Sequence, residues 1–193
     1  MSSNPLAIGH VSDAFMNIVT TVTSTGTDDT THNYTDEQQL LLTIINECSQ
    51  SITGRRKLMK LVFFAEHYNT NTHSVESTPQ LGVFTDFVMT TNGVTSRSVI
   101  TTYNNLKDDA LITEQRPTRL NLTENTVTIE LTDTACEHFN PQDTQFNEII
   151  DMITTLAADD GDTLHNFSLF MLGLTPDTYE KHIADDIQTI LNT

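Results

Sequence analysis

Cysteine is scarce in this 193-residue chain, which contains only Cys48 and Cys136. The two residues lie far apart and outside any CxxC spacing, so the sequence indicates neither a zinc ribbon nor a redox pair. A chain of this length can bury a hydrophobic core without disulfide bonds. We therefore expect two ordinary thiols in a reducing compartment.

Long apolar stretches are also missing. No run approaches the roughly 20 apolar residues that cross a bilayer. The first residues, MSSNPLAIGHVSD, lack the basic start and the apolar stretch of a signal peptide. These absences predict a soluble, cytoplasmic protein with no membrane partner.

Basic residues are few and unevenly placed. The chain has 9 Lys and Arg against 26 Asp and Glu, a formal net charge of −17. Eight of the nine basic residues fall between positions 55 and 119 with six acidic ones, so this segment carries +2 and the remainder −19. The sequence thus places a weakly cationic segment inside a strongly anionic chain.

The overall composition resembles that of proteins from haloarchaea and their viruses. There are only 4 lysines but 34 threonines among the 193 residues. A dense carboxylate surface stays hydrated and soluble in molar salt, which favours a halophilic origin. An acidic protein from a mesophile is the alternative.

Helical periodicity dominates the first half of the chain. Residues 13–22 predict a short helix, and a Thr-rich linker follows it. Thr35 is expected to cap a helix over 36–51. A helix beginning at Arg55 has Leu58, Leu61, Val62, Ala65 and Tyr68 at helical spacing, and its basic residues are expected on the opposite, exposed face. Those basic residues are Arg55, Arg56, Lys57 and Lys60.

The second half mixes strand and helix patterns. Residues 82–90 favour a strand over a brief helix. From Ser96 a helix is predicted with Val99, Ile100, Tyr103 and Leu106 on its buried face. Two alternating runs, 117–123 and 126–132, predict a hairpin with a turn at Glu124 and Asn125. Further helices are expected over 133–139 with Asp133 as the cap, and over 146–159, 162–174 and 176–192.

Three segments carry a resemblance to a known family. They are GRRKLMKLVFFAEHY, FTDFVMTTNGVTSRSVITTYNNLKDDALIT and VTIELTDTA. Across residues 38–140 the chain resembles the YwgA-type family of small prokaryotic proteins, which is related to the Panacea antitoxin domain. The ending LTDTA is also similar to the exit from the wing in MarR-like regulators. The Gly-Pro-Tyr-Ser turn of the family stands here as residues 92–96, which keep Gly93 and Ser96 but lose the proline and the aromatic residue.

The order of elements and this resemblance imply a mainly α (α+β) protein: a winged helix-turn-helix with a two-stranded wing and additional helices at both ends. The expected organisation is an N-terminal helix and linker over 1–35, the winged-helix domain over 36–140, and a helical extension over 141–193 packed on that domain. In such a fold, the helix before the wing usually enters the major groove of DNA.

The expected function is non-catalytic binding of double-stranded DNA by a transcriptional regulator. The side chains opposite the apolar stripe of the third helix would meet base edges, and the remaining basic residues would meet phosphates. The full predicted set is Arg97, Ser98, Thr101, Asn104, Asn105, Lys107, Arg116, Arg119, Arg55, Arg56, Lys57 and Lys60. The alternative is an antitoxin-like or assembly module that binds a protein partner such as a toxin, or a second copy of itself. The apolar run LFMLGL, residues 169–174, favours this alternative unless it is ordinary core.

Catalytic and metal-binding patterns are weak. No Gly-rich phosphate loop, nucleophile elbow or pair of catalytic carboxylates stands out. His67 with His73, and Cys136 with His138, are interpreted as structural or solvent-exposed residues. The acidic stretch 159–162 is expected to end one helix and cap the next, since it lacks the downstream glutamate of a calcium loop. We therefore expect no enzyme activity, metal or cofactor.

Overall fold

The protein is described by a computed structural model that covers residues 33–116 and 127–191. The helices are α1 Asp36–Glu47, α2 Arg55–His67, α3 Arg97–Asp108, α4 Asp133–His138, α5 Ile150–Ala157, α6 Gly161–Met171 and α7 Ile187–Leu191. The strands are β1 Ser51–Thr53, β2 Tyr68–Asn69, β3 Ser74–Val75, β4 Phe87–Thr90, β5 Gly93–Ser96, β6 Ile112–Gln115 and β7 Thr128–Leu131. The architecture is α+β, with helices around small sheets. The predicted helix over 13–22 lies outside the described residues.

Helix α1 begins where the sequence predicts. The Thr35 side chain accepts a hydrogen bond from the Gln38 backbone N–H, and the Gln38 side chain accepts one from the Thr35 N–H, which completes a capping box. The helix ends at Glu47, before the predicted end, because Ser49 and Gln50 adopt positive φ angles of 59° and 63°. Six consecutive residues, 40–45, are buried, so α1 lies inside the core rather than on its surface.

Helix α2 is the central element. It packs against α1, α5, α6 and β5, and the predicted apolar stripe is buried throughout. The opposite side is largely covered as well: Phe63 and Phe64 are buried, and so are Glu66 and His67. A helix buried on nearly all sides must pair its polar groups internally.

The sheets are small and antiparallel. Strand β7 lies between β1 and β6, with Ile129 opposite both Ile52 and Glu114. Strands β4 and β5 form a hairpin that leads directly into α3, and β2 pairs with β3. The predicted strand over 82–90 is confirmed only for 87–90.

The second of the two predicted strands is confirmed, since β7 falls within 126–132. Its partner is β6, at 112–115, and so lies upstream of the predicted first run. Residues 117–126, with the predicted turn at Glu124 and Asn125, lie outside the described residues. After β7, Thr132 rather than Asp133 caps α4, because its side chain accepts a hydrogen bond from the Ala135 N–H.

Helix α5 packs onto α1 and α2, α6 packs onto α2, and α7 packs against β4. Helix α6 begins at the predicted place, with the Asp160 carboxylate accepting hydrogen bonds from the N–H groups of Asp162 and Thr163. The predicted helix over 176–192 is wrong. The chain there forms a short 3-10 turn at Tyr179–His182, exchanges backbone hydrogen bonds with Met89 of β4 through Ala184 and Asp185, and only then forms α7. Within the described ranges, every helix is too short or too polar to cross a membrane.

Candidate nucleic-acid interface

The start of α3 is fixed by a serine and an aspartate. The Ser96 hydroxyl caps the helix by accepting a hydrogen bond from the Val99 N–H. The Asp86 carboxylate accepts hydrogen bonds from the hydroxyls of Ser96 and Ser98 and from the Ser98 N–H at 2.9 Å. These hydrogen bonds lower the pKa of Asp86 against the effect of its partial burial, which raises it. The carboxylate therefore pins the first turn of the helix.

One face of α3 is buried and the other is exposed. Val99, Thr102, Tyr103 and Leu106 are buried, as α3 packs on α1 and β6. Four of the α3 residues that the sequence predicts to face DNA are exposed to solvent: Arg97, Thr101, Asn104 and Asn105. Ser98 is half-buried and its hydroxyl is already bonded to Asp86.

The prediction that Ile100 lies on the buried face is wrong. Its side chain is 45 % exposed and stands among the polar residues of the outward face. Thr102 is buried in its place, so the face of α3 that contacts the core is rotated slightly away from the apolar stripe seen in the sequence. The outward face of α3 consequently combines amide, hydroxyl and guanidinium groups with one branched apolar side chain.

Arg97 and Arg116 are the cations of the predicted set that are exposed and form no ion pair with the described part of the chain. Arg97 begins α3, and Arg116 follows directly after β6. Arg119 lies outside the described residues.

Glu114 holds two of the predicted phosphate-binding cations. Arg55 donates to both Glu114 oxygens, at 2.5 and 2.7 Å, and Lys107 donates at 3.1 Å. The Tyr103 hydroxyl donates to the same carboxylate at 2.7 Å. Arg55 above all, with Tyr103 and Lys107, lowers the pKa of Glu114 to about 2. Arg55 and Lys107 are thus close together, and the one carboxylate of Glu114 offsets half of their combined charge.

Arg56 and Lys57 are also engaged within the protein. Arg56 pairs with Asp162 at 3.1 Å and donates to the Asn92 carbonyl at 3.3 Å. Lys57 donates to the Ala157 carbonyl at 2.6 Å, at the end of α5. Both side chains therefore connect α2 to the C-terminal helices or to the β4–β5 turn.

The expectation that Lys60 lies on an exposed face is wrong. The residue is fully buried, and its Nζ donates to the carbonyls of Val94 at 2.9 Å and Asn92 at 3.3 Å. Burial, and then the neighbouring charge of Arg56, lower the pKa of Lys60 to about 7. The hairpin and α6 cover this side of α2, and the helical period of α2 alone gives no sign of them.

The turn between β4 and β5 is surrounded by donors. Arg56 and Lys60 both donate to the Asn92 carbonyl, and the Tyr179 hydroxyl donates to the Thr91 carbonyl at 3.3 Å. Gly93 has a φ of +83°, a conformation that favours glycine. Gly93 therefore shapes the turn, and Ser96 caps α3.

A cleft of about 360 Å³ lies between α2, β5 and α3. It brings together four residues of the predicted set, namely Arg55, Arg56, Lys60 and Asn104. Its apolar lining comes from Leu58, Met59, Val94, Val99 and Ile100. Sequence reasoning missed this cleft, since its residues come from elements that only the three-dimensional packing brings together.

In the described ranges 33–116 and 127–191, no three His, Cys, Asp or Glu side chains come close enough to hold a metal ion. His67 is buried and its Nδ1 lies 3.0 Å from the Glu76 carbonyl, while Cys136 is exposed. The buried Glu66 accepts hydrogen bonds from the backbone N–H groups of Gly82, Val83 and Phe84. Its carboxylate therefore anchors a loop.

Compared with known proteins, the chain matches no family model, no curated protein and no solved structure.

Proposed function

We propose that the chain is a non-catalytic winged-helix protein that binds double-stranded DNA through α3, as a transcriptional regulator working at high salt. The order α1, β1, α2, α3, β6, β7 supports this proposal, since an antiparallel pair follows three helices and could serve as a wing. In place of the 3–4-residue turn of a simple helix-turn-helix, residues 68–96 separate α2 from α3 and position the start of α3 through the β4–β5 hairpin.

The outward face of α3 carries the proposal. Arg97, Asn104 and Asn105 bear the guanidinium and amide groups that form paired hydrogen bonds with base edges in the major groove. The opposite face of the helix is anchored in the core, and its first turn is pinned by Asp86. A rigid element that projects polar groups suits sequence-specific binding.

Among the residues that the structure describes, few cations of the predicted set are both exposed and without an ion pair, which agrees with binding in molar salt. With about five phosphate contacts, a 20-fold rise in salt concentration lowers affinity by about six decades. A halophilic DNA-binding protein would therefore depend on base-edge contacts rather than on phosphate attraction. The internal pairing of Arg55, Arg56 and Lys107 leaves little cationic surface to lose.

A selection experiment tests the proposal. The full chain is incubated in molar KCl with a library of random DNA duplexes, and bound duplexes are sequenced over several rounds. We expect one motif to be enriched, and expect Asn105→Ala to relax the preference at one base position. Lys181→Ala, a charge change distant in sequence from α3, is the matched control and should enrich the same motif. Failure of the native chain to enrich any motif would overturn the proposal.

Binding of a protein partner is the second candidate. Phe170 is 83 % exposed and Phe167, one helical turn earlier on the same side of α6, is 46 % exposed. Exposed aromatic side chains of this size are common anchors of protein interfaces. The partner would be a toxin, in an antitoxin-like role, or a second copy of the chain. Light scattering and co-purification with the product of a neighbouring gene test this candidate, and Phe170→Ser should abolish the association while preserving any DNA binding.

A further inference from the structure

The cleft between α2, β5 and α3 differs in charge from the rest of the molecule. Its lining includes Arg55, Arg56 and Lys60, three of the nine basic residues of a chain with a net charge of −17. The residues that line it include no Asp or Glu. Glu114 and Asp162, which pair with Arg55 and Arg56, lie beside the lining and offset part of this charge. The lining itself still presents only basic charged groups to an anionic ligand, in contrast to the strongly acidic remainder of the chain.

The basic side chains of the cleft have N–H groups that form no hydrogen bond with the described part of the protein. Arg55 uses Nε and Nη2 for Glu114, which leaves Nη1. Arg56 uses Nε for Asn92 and Nη1 for Asp162, which leaves Nη2. Lys60, whose lowered pKa of about 7 leaves it partly protonated at neutral pH, uses two N–H groups and offers a third when it is an ammonium. Their existing partners also hold these side chains in place, so a ligand would lose little affinity to ordering them.

The floor of the cleft is apolar. Leu58 and Val99 are buried in the core at 2 % exposure each, and Met59, Val94 and Ile100 complete the apolar lining. The volume of about 360 Å³ lies at the lower end of the roughly 300–1,000 Å³ that is common for small-molecule pockets. An inorganic ion would leave this apolar surface uncovered, whereas an organic anion could cover it.

We propose that this cleft binds a small organic anion, a carboxylate or sulfonate with an apolar body. The anionic group would lie between the exposed Arg55 and Arg56, with the buried Lys60 beneath them, and the apolar body would cover Met59 and Ile100. The Asn104 amide would close the outer side.

A ligand in the cleft would act on the proposed recognition helix. Ile100 and Asn104 line the cleft and also belong to the outward face of α3. A bound anion would engage the Asn104 amide, which could then no longer bind a base, and would place negative charge beside the DNA. Ligand and DNA would therefore exclude each other. This regulatory step rests on the proposed function, whereas binding of the anion does not.

The test of binding contains no DNA. The fluorescent probe 8-anilinonaphthalene-1-sulfonate is titrated into the full chain in molar KCl, and then displaced with octanoate or with 1-octanol. We expect saturable binding that octanoate reverses and that octanol, which has a similar apolar body but no charge, reverses far less. Equal displacement by both would show a purely apolar site and overturn the proposal. Absence of saturable binding would also overturn it.

A matched pair of variants locates the site. Ile100→Glu adds an anion at the cleft, and Thr101→Glu adds the same charge to the next exposed residue, which does not line the cleft. Because the introduced carboxylate would repel the anionic ligand, we expect Ile100→Glu to weaken octanoate binding by about tenfold, which corresponds to about 1.4 kcal/mol. Thr101→Glu should weaken octanoate binding far less. Equal losses would overturn the assignment.

A second pair keeps the assignment testable if Ile100→Glu perturbs the fold. Arg56→Gln removes a cation of the cleft, and Arg97→Gln removes a cation outside the cleft. Only Arg56→Gln should weaken octanoate binding.

If octanoate binds but does not release a selected duplex, the regulatory step fails while the ligand site stands. If no duplex is ever selected, the proposed function fails while the ligand site still stands.

Discussion

Gly93 lies directly against His165, across the interface between the β4–β5 turn and α6. A Cβ atom added to Gly93 would come within 2.5 Å of His165 Nδ1 and 2.7 Å of Lys60 Nζ. His165 Nδ1 is buried and has no hydrogen-bond partner among the described residues. Burial, with the charges of Lys60 and Arg56, lowers the pKa of His165 to about 4, so the ring is neutral near pH 7. The turn that leads into α3 thus depends on a glycine at this position.

Replacing Gly93 tests that dependence. Gly93→Ala should lower the free energy of unfolding by about 2–5 kcal/mol, since a positive φ costs about 1–2 kcal/mol and crowding about 1–3 kcal/mol. Gly82→Ala is the control, because Gly82 has a similar φ of +73° but no atom within 4 Å of the added Cβ. Denaturant unfolding in molar KCl measures both. Equal losses at the two glycines would show that crowding at His165 contributes nothing.

Local sequence signals predict much of the helical part of the fold. The Thr35 cap, the buried stripe of α2 and the cap within the acidic stretch 159–162 are confirmed, because each depends on residues within a few positions along the chain. The predicted helix over 176–192 is wrong because pairing with Met89 of β4, far away in sequence, overrides the local helical pattern.

The candidate site is less predictable than the helices. The exposed face of α3 follows from its periodicity, apart from Ile100. The burial and pairing of the basic side chains do not follow from it. Lys60 shares a helix with Arg56 and Lys57, yet the β4–β5 hairpin and α6 bury it. Likewise Arg55 meets Glu114 across 59 positions of sequence. Charge segregation along a chain indicates where cations concentrate but not which of them have internal partners.

Glu114 should restrain DNA affinity. Glu114→Gln would release Arg55 and Lys107 from their shared carboxylate, so we expect tighter binding of a selected duplex and a salt slope steeper by about one for each additional phosphate that these cations neutralise. Stability should fall by about 1–3 kcal/mol, because Gln keeps one acceptor oxygen but loses the charge and turns an NH2 group toward the remaining donors. Fluorescence anisotropy at several KCl concentrations measures the slope. Glu130→Gln, on the neighbouring strand β7, is the control, and an unchanged slope in Glu114→Gln would contradict the prediction.

Lys60 should make stability depend on pH. Its pKa is lowered from 10.5 to about 7, so between these values the unfolded chain holds a proton that the folded protein lacks. The free energy of unfolding should therefore rise with pH from 7 to 9, by at most about 1.4 kcal/mol per pH unit. Above this range the raised pKa of Cys48, about 11, acts in the opposite direction. Lys60→Met should remove the rise, and equal slopes in both proteins would refute the assignment.

Glu66 should hold the loop before β4. Glu66→Ala would leave the buried N–H groups of Gly82, Val83 and Phe84 without their acceptor, at a cost of about 1–3 kcal/mol for a buried group. Burial raises the pKa of Glu66 to about 7, against the three N–H donors, which lower it. Glu66→Gln keeps one carbonyl oxygen and should lose less stability. Amide hydrogen exchange of residues 82–84 measures the effect, and unchanged protection in Glu66→Ala would contradict it.

The central claim is that the outward face of α3 recognises DNA, and the most direct measurement is the affinity of Arg97→Ala and Asn104→Ala for a selected duplex in molar KCl. Each substitution should cost about 1–3 kcal/mol of binding free energy. Their melting temperatures should match that of the native protein, because both side chains are exposed. Lys181→Ala should bind with native affinity. Native affinity in both α3 variants would contradict the account.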